Sequence, residues 1–126
     1  MDLITVSRRS GLDFDVRVRG HVVRTSLAGG EGGITPAELL AGSLGACVAM
    51  VLQDRCDRQG HGDGNVAVSL ALELAEDPKR VGAIFADVDL PADVPEEEKE
   101  RIRLLAGRCV IHETLARPPR VDIEVA

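Results

Sequence analysis

A chain of 126 residues fits one domain, and roughly two thirds of its unfolded surface can be buried in a core of its own. Hydrophobic residues make up 44 %, which excludes a disordered composition. A net charge of −6, with two Phe and no Tyr or Trp, argues against nucleic-acid binding, which needs a cationic surface and stacking platforms. No apolar run approaches a transmembrane length, and "MDLITVSRRSG" lacks the charged-then-apolar pattern of a signal peptide. The expectation is a cytoplasmic protein with no membrane and no nucleic-acid partner. Cys47, Cys56 and Cys109 are too few and too unevenly spaced for a secreted disulfide scaffold.

Residues 2–7 alternate loosely as a strand. Residues 12–20 alternate more cleanly, with Leu12, Phe14, Val16 and Val18 on one face and Asp13, Asp15, Arg17 and Arg19 on the solvated one. Residues 21–27 read as the hairpin partner, and "AGGEGG" as a flexible loop. A long helix then begins. Thr35 is its N-cap, Pro36 its first residue, and Glu38 closes a capping box with Thr35. Leu39, Leu40, Ser43, Leu44, Cys47, Val48, Val51 and Leu52 recur at helical spacing, and Gly60 is the stop signal. Small residues fill positions 41–46, including Gly42 and Gly45, each costing on the order of 1 kcal/mol in a helix. Close approach by another backbone, such as a second copy of this helix, would explain them. Residues 65–77 and 81–91 read as strands joined by a Pro78–Lys79 turn. Asp93 with Glu96 marks a second helix, whose apolar positions Ile102, Leu105, Ala106 and Cys109 share one face. Residues 121–125 close the chain as a short strand. The order predicts an α+β fold, with sheets around one long, nearly apolar helix.

A lone cysteine on an apolar helix face is usually packing, and Cys47 alone would be read so. Cys109 changes that: two cysteines on core-facing positions of two helices can meet, and a dithiol–disulfide couple becomes available. Cys56 lies among charges in the helix tail and reads as incidental. Cys109 and His112 have a ligand-like spacing, but a structural zinc needs four ligands and the second cluster is missing, so no metal is expected. The glycine loop lacks the GK[ST] ending of a phosphate cradle, and Glu31 would repel an anion. "PEEEKE" is a solvated helix start.

"GITPAELLAGSLGACVAM", followed much later by "AGRCVIHETLARPPRVDIEV", resembles the OsmC/Ohr family of osmotically inducible and organic hydroperoxide resistance proteins. The resemblance covers nearly the whole chain. It implies a single OsmC-like domain over 1–126 and an intertwined homodimer, with sheets wrapped around two central cysteine-bearing helices. It also implies a thiol-dependent peroxidase without a cofactor. Cys47 would attack an organic hydroperoxide in an apolar pocket and become a sulfenic acid. Cys109 would resolve it to a disulfide, and a dithiol reductant, such as a lipoylated protein, would restore the pair.

A buried thiol needs help to ionise at neutral pH. In the hydroperoxide-resistance branch an arginine from the early strands supplies it, held by a glutamate near the helix start. Carried over, the arginine is Arg9, with Arg24 as runner-up, and Glu38 is the neighbouring acid. Ala37 stands where that branch has its glutamate, and Val110 where a proline commonly follows the second cysteine. Both departures point to the broader OsmC-like branch. Two other readings of the same residues are a non-catalytic dimer that binds a small apolar ligand, and a thiol-exchange or redox-sensing protein.

Overall fold

The computed structural model describes residues 2–61 and 64–126. Five strands and three α-helices divide into two compact units. The first holds Met1–Gly42 and Leu72–Ala83; the second holds Ser43–Ala71 and Ile84–Ala126.

In the first unit, Thr5–Ser10 (β1), Asp13–Val18 (β2) and His21–Ser26 (β3) form an antiparallel sheet in that order. Arg19 and Gly20 both have positive φ, 47° and 82°, as a tight two-residue hairpin turn between twisted strands requires. The register slips between Arg8 and Ser10, so Arg9 sits at a bulge. Val6, Val16 and Val23 form a cross-strand row on one face. The polar face of β2 is not simply solvated: Asp15 is buried, contrary to the alternation reading. The cause is its central position, flanked by Ser7 and Arg24, with Arg17 donating to its Oδ2 at 2.9 Å. The glycine loop holds a 3-10 turn at Gly30–Gly32 and returns to β3, where Ser26 N–H donates to the Ile34 carbonyl at 2.9 Å. The Asp13 carboxylate lies against Gly32, the opposite of an anion site.

Pro36–Arg58 (α1) starts as its sequence dictates. Glu38 N–H donates to Thr35 Oγ1 at 3.1 Å, and Thr35 N–H donates to Glu38 Oε1 at 2.8 Å, a reciprocal capping box. Among the described residues α1 is the one helix long and apolar enough to cross a membrane. The earlier count of apolar runs missed this, because small residues and a single acid, Glu38, carry the stretch up to Asp54. Its stripe Leu44, Val48, Leu52 and Cys56 instead forms the core of the second unit, with Val94, Ile102 and Cys109.

Ala67–Ala75 (β4) and Arg80–Asp89 (β5) form a hairpin. Val68 and Leu70 of β4, and Ile84 and Val88 of β5, pack on that core. Gly45 is explained here: a Cβ on it would overlap Leu70 Cδ1. The close neighbour at Gly45 is thus a side chain of the same unit, where a second backbone was expected. Gly42 meets nothing within 4 Å. Gln53 fixes the entry to β4 by accepting the Val66 N–H at 2.8 Å.

The second predicted helix is two helices, Glu96–Ala106 (α2) and Val110–Ala116 (α3). Gly107 ends α2, and its N-cap is Pro95 rather than Asp93. Cys109 is therefore not the end of a helix but the N-cap of the next. Cys56 is also corrected. It is 1 % exposed, because the stripe that begins at Leu44 continues through the charged tail. Residues 121–125 form no strand, and they belong to neither sheet among the described residues. Val121, Ile123 and Val125 are exposed.

Candidate active site

Cys47 and Cys109 meet in the second unit. Cys47 is on the third turn of α1, on the flank of the buried stripe, and is half-buried. Cys109 is 2 % exposed. Its extended backbone, at φ −73° and ψ 155°, caps α3, and its Sγ accepts the His112 N–H at 3.3 Å. The two thiols are free, and Cys47 packs against the core cluster that holds Cys109.

The two sulfurs are electrostatically unequal. The Ile111 N–H, against the opposing effect of burial, holds the Cys47 thiol below its ordinary value; the Cys109 thiol and the Val110 N–H act the same way. Each stabilises a negative sulfur by donating to it. Burial pushes Cys109 up, and its proton is further held by donation to Cys47. Cys47 is therefore the more exposed thiol and the one shifted toward ionisation, and Cys109 the sheltered one shifted away from it. Where sequence reasoning required a cation, the donors in this unit are peptide N–H groups and a thiol. Nothing in the sequence showed this, because it depends on α2 ending at Gly107 and a separate helix starting after Cys109.

The other expected site residues lie in the first unit. Arg9 is exposed at the β1 bulge, Arg24 is exposed on β3, and Glu38 is engaged in the capping box. Cys56 is in the core, and burial raises its pKa. His112 contributes its N–H to Cys109 from an exposed position on α3. Among the described residues, no three His, Cys, Asp or Glu side chains are grouped so as to hold a metal ion. A cavity of about 470 Å³ in the second unit is lined by Leu52, Val88, Ile102 and the Lys99 and Arg103 side of α2; neither Cys47 nor Cys109 is in its wall.

The OsmC-like protein family model matches residues 29–124, and the chain belongs to that family. Solved structures show the same fold. A Psychrobacter arcticus protein described as an osmotic-stress-induced and detoxification-response protein is 16 % identical. The alignment covers 90 % of this chain and 88 % of that one, with a TM-score of 0.81. An OsmC-like protein from Mycoplasma pneumoniae is 15 % identical over 94 % of this chain and 89 % of its own, with a TM-score of 0.77. The organic hydroperoxide resistance protein OhrB of Bacillus subtilis is 17 % identical over 94 % and 92 %, with a TM-score of 0.63. No curated protein matches the sequence. The α+β architecture, with antiparallel sheets and one long helix, is thus that of a family associated with peroxide resistance and redox chemistry.

Proposed function

We propose that the protein is a thiol-dependent peroxidase that reduces organic hydroperoxides through Cys47 and Cys109. The observation that carries this reading is the pair of free thiols brought together in one core, Cys47 half-buried and Cys109 buried, with the Cys47 thiol held below its ordinary value and the Cys109 thiol above it. The Cys47 thiolate attacks the distal oxygen of the hydroperoxide. The O–O bond breaks, the alkoxide leaves and takes up a proton as the alcohol, and Cys47 becomes a sulfenic acid. The Cys109 sulfur then attacks the Cys47 sulfur. The hydroxyl leaves as water with the Cys109 proton, and a disulfide forms. The dithiol has lost two electrons and the peroxide has gained them. An external dithiol returns the electrons by exchange, in keeping with a reducing cytoplasm.

The protein acts as a homodimer. Gly42, Ala46 and Met50 form an exposed small and apolar side of α1, and the alternating apolar tail Val121, Ile123 and Val125 has no strand partner among the described residues. Light scattering at a dimer mass supports this assembly, and a stable monomer removes it.

The deciding experiment is intact mass after one equivalent of cumene hydroperoxide is added to the reduced protein, with the remaining thiols then alkylated. Loss of two hydrogens, with Cys47 and Cys109 protected and Cys56 labelled after denaturation, is expected. Three labelled thiols and unconsumed peroxide would sink the proposal.

A further inference from the structure

We propose that the cavity between α2 and the end of β5 is a binding site for a short apolar peptide with free termini, separate from the thiol pair. Its volume is about 470 Å³, within the range of small-ligand sites, and every residue lining it belongs to the second unit. One wall is a single face of α2, where Lys99, Ile102, Arg103 and Ala106 recur at helical spacing. The other wall is the end of β5, where Ala86, Asp87, Val88 and Asp89 line the cavity in succession. A strand sends successive side chains to opposite faces, so an unbroken run of lining residues means that β5 presents its edge here. β5 pairs with β4 alone among the described residues, and no described residue of β4 lines the cavity. The edge facing α2 is therefore the unpaired one, with main-chain N–H and C=O groups open to a partner.

The charges on the two walls are opposite and do not meet. Lys99 and Arg103 pair along their own helix, with Glu96 at 2.6 Å and Glu100 at 2.7 Å. Both acids are exposed, so these pairs are weak, and each cation keeps unused donors. Asp87 and Asp89 have no ion-pair partner among the described residues. A fatty carboxylate would suit the α2 wall and be repelled by the β5 wall; an amine alone would meet the reverse. A zwitterion suits both. Val88 and Ile102 offer apolar surface to its body. An amide between the two charged ends can pair with the open strand edge. The peptide carboxylate is thus held by Lys99 and Arg103, and its ammonium by Asp87 and Asp89.

The test is calorimetric titration of the full chain with the dipeptide leucyl-leucine, its N-acetyl form and its C-terminal amide. Free leucyl-leucine should bind saturably, and each blocked form should bind about tenfold more weakly, the size of one lost bond between charged groups. Asp87→Asn combined with Asp89→Asn should weaken the free dipeptide about tenfold and leave the N-acetyl form unchanged. Lys99→Gln combined with Arg103→Gln should weaken the free dipeptide equally and leave the amide unchanged. The backbone amide signals of Ala86 to Asp89 should shift in nuclear magnetic resonance spectra during the titration. If a variant does not fold, the three probes on the wild-type chain decide the matter alone. No saturable binding of leucyl-leucine overturns the proposal, and is the result expected if the tail of a second copy occupies the edge. Equal affinity for all three probes overturns it too, as does a loss that is the same for every probe in both variants. Neither peroxide nor reductant is present, so the result stands apart from the hydroperoxide experiment.

Discussion

Cys109 accepts the His112 N–H on its Sγ at 3.3 Å and, lying beside Cys47, helps hold that thiol below its ordinary value. One side chain thus caps a helix and polarises its neighbour. The chemistry of the pair and the stability of α3 are joined at this residue, and substitutions there separate the two.

Cys109→Ser should keep the cap, since a serine oxygen accepts the His112 N–H well. Its unfolding free energy should stay within about 1 kcal/mol of wild type in urea denaturation. Cys109→Ala should cost about 1 kcal/mol more, having removed the acceptor that caps α3 at the His112 N–H. Both variants should stop at a Cys47 sulfenic acid after one hydroperoxide equivalent, detectable as a dimedone adduct by mass. Disulfide formation between Cys47 and Cys56 in either variant would show that Cys109 is not the resolving thiol.

Cys47→Ser should abolish hydroperoxide consumption while leaving the fold intact. In the wild-type protein at pH 7, Cys47 should be the first thiol alkylated, with Cys109 and Cys56 reacting only after unfolding, because both are buried and both hold their protons. Equal labelling rates for all three thiols in the native protein would refute the inequality of the two sulfurs.

Cys56 should leave a signature at alkaline pH. Burial, followed by the Asp57 and Asp93 carboxylates, pushes its thiol up. The native chain therefore keeps this proton at pH values where the unfolded chain has lost it. Stability is fully present below the ordinary thiol value of about 8.5 and is lost as pH rises toward the raised folded value. Cys109 shifts in the same direction. Urea midpoints measured from pH 7 to 10 should therefore fall, and should fall less steeply in Cys56→Val, which removes one of the two groups. Identical slopes would mean that Cys56 ionises as freely in the folded protein as in the unfolded one.

Leu52 is fully buried at the centre of the Leu44–Cys56 stripe. Leu52→Ala should cost about 3 kcal/mol, from lost transfer energy and the cavity left behind. Thr35→Ala should cost about 1 kcal/mol by opening the capping box, and Thr35→Ser should restore it. Chemical denaturation reads both; a loss below about 0.5 kcal/mol for Leu52→Ala would place that side chain outside the core.

Much of the fold was legible because it is local. The start of α1 is written in Thr35, Pro36 and Glu38, residues whose hydrogen bonds close within three positions. The alternation of Val68 and Leu70 on β4 and the helical period through Cys47 and Val48 follow from backbone geometry alone. The helical period put Cys47 at the edge of the core face and allowed the two cysteines to meet, and the family resemblance implied their pairing, although Cys109 is a helix cap and not part of the predicted helix.

What the chain hid was decided by contacts between residues far apart in sequence. Asp15 is buried because strands enclose it on both sides, although its own strand alternates as if it faced water. Cys56 looked solvated among its charged neighbours, yet α2 and the β-hairpin supply the residues that bury it. Above all, no propensity distinguished one helix ending at Cys109 from two helices meeting there. α2 ends at Gly107, and Cys109 becomes the cap of α3 while packing in the same core as α1. Sequence by itself determined which atoms could react, since thiols and their helical period are properties of the chain. The tertiary structure decided how differently the two sulfurs are sheltered, since burial depends on residues brought together from separate elements.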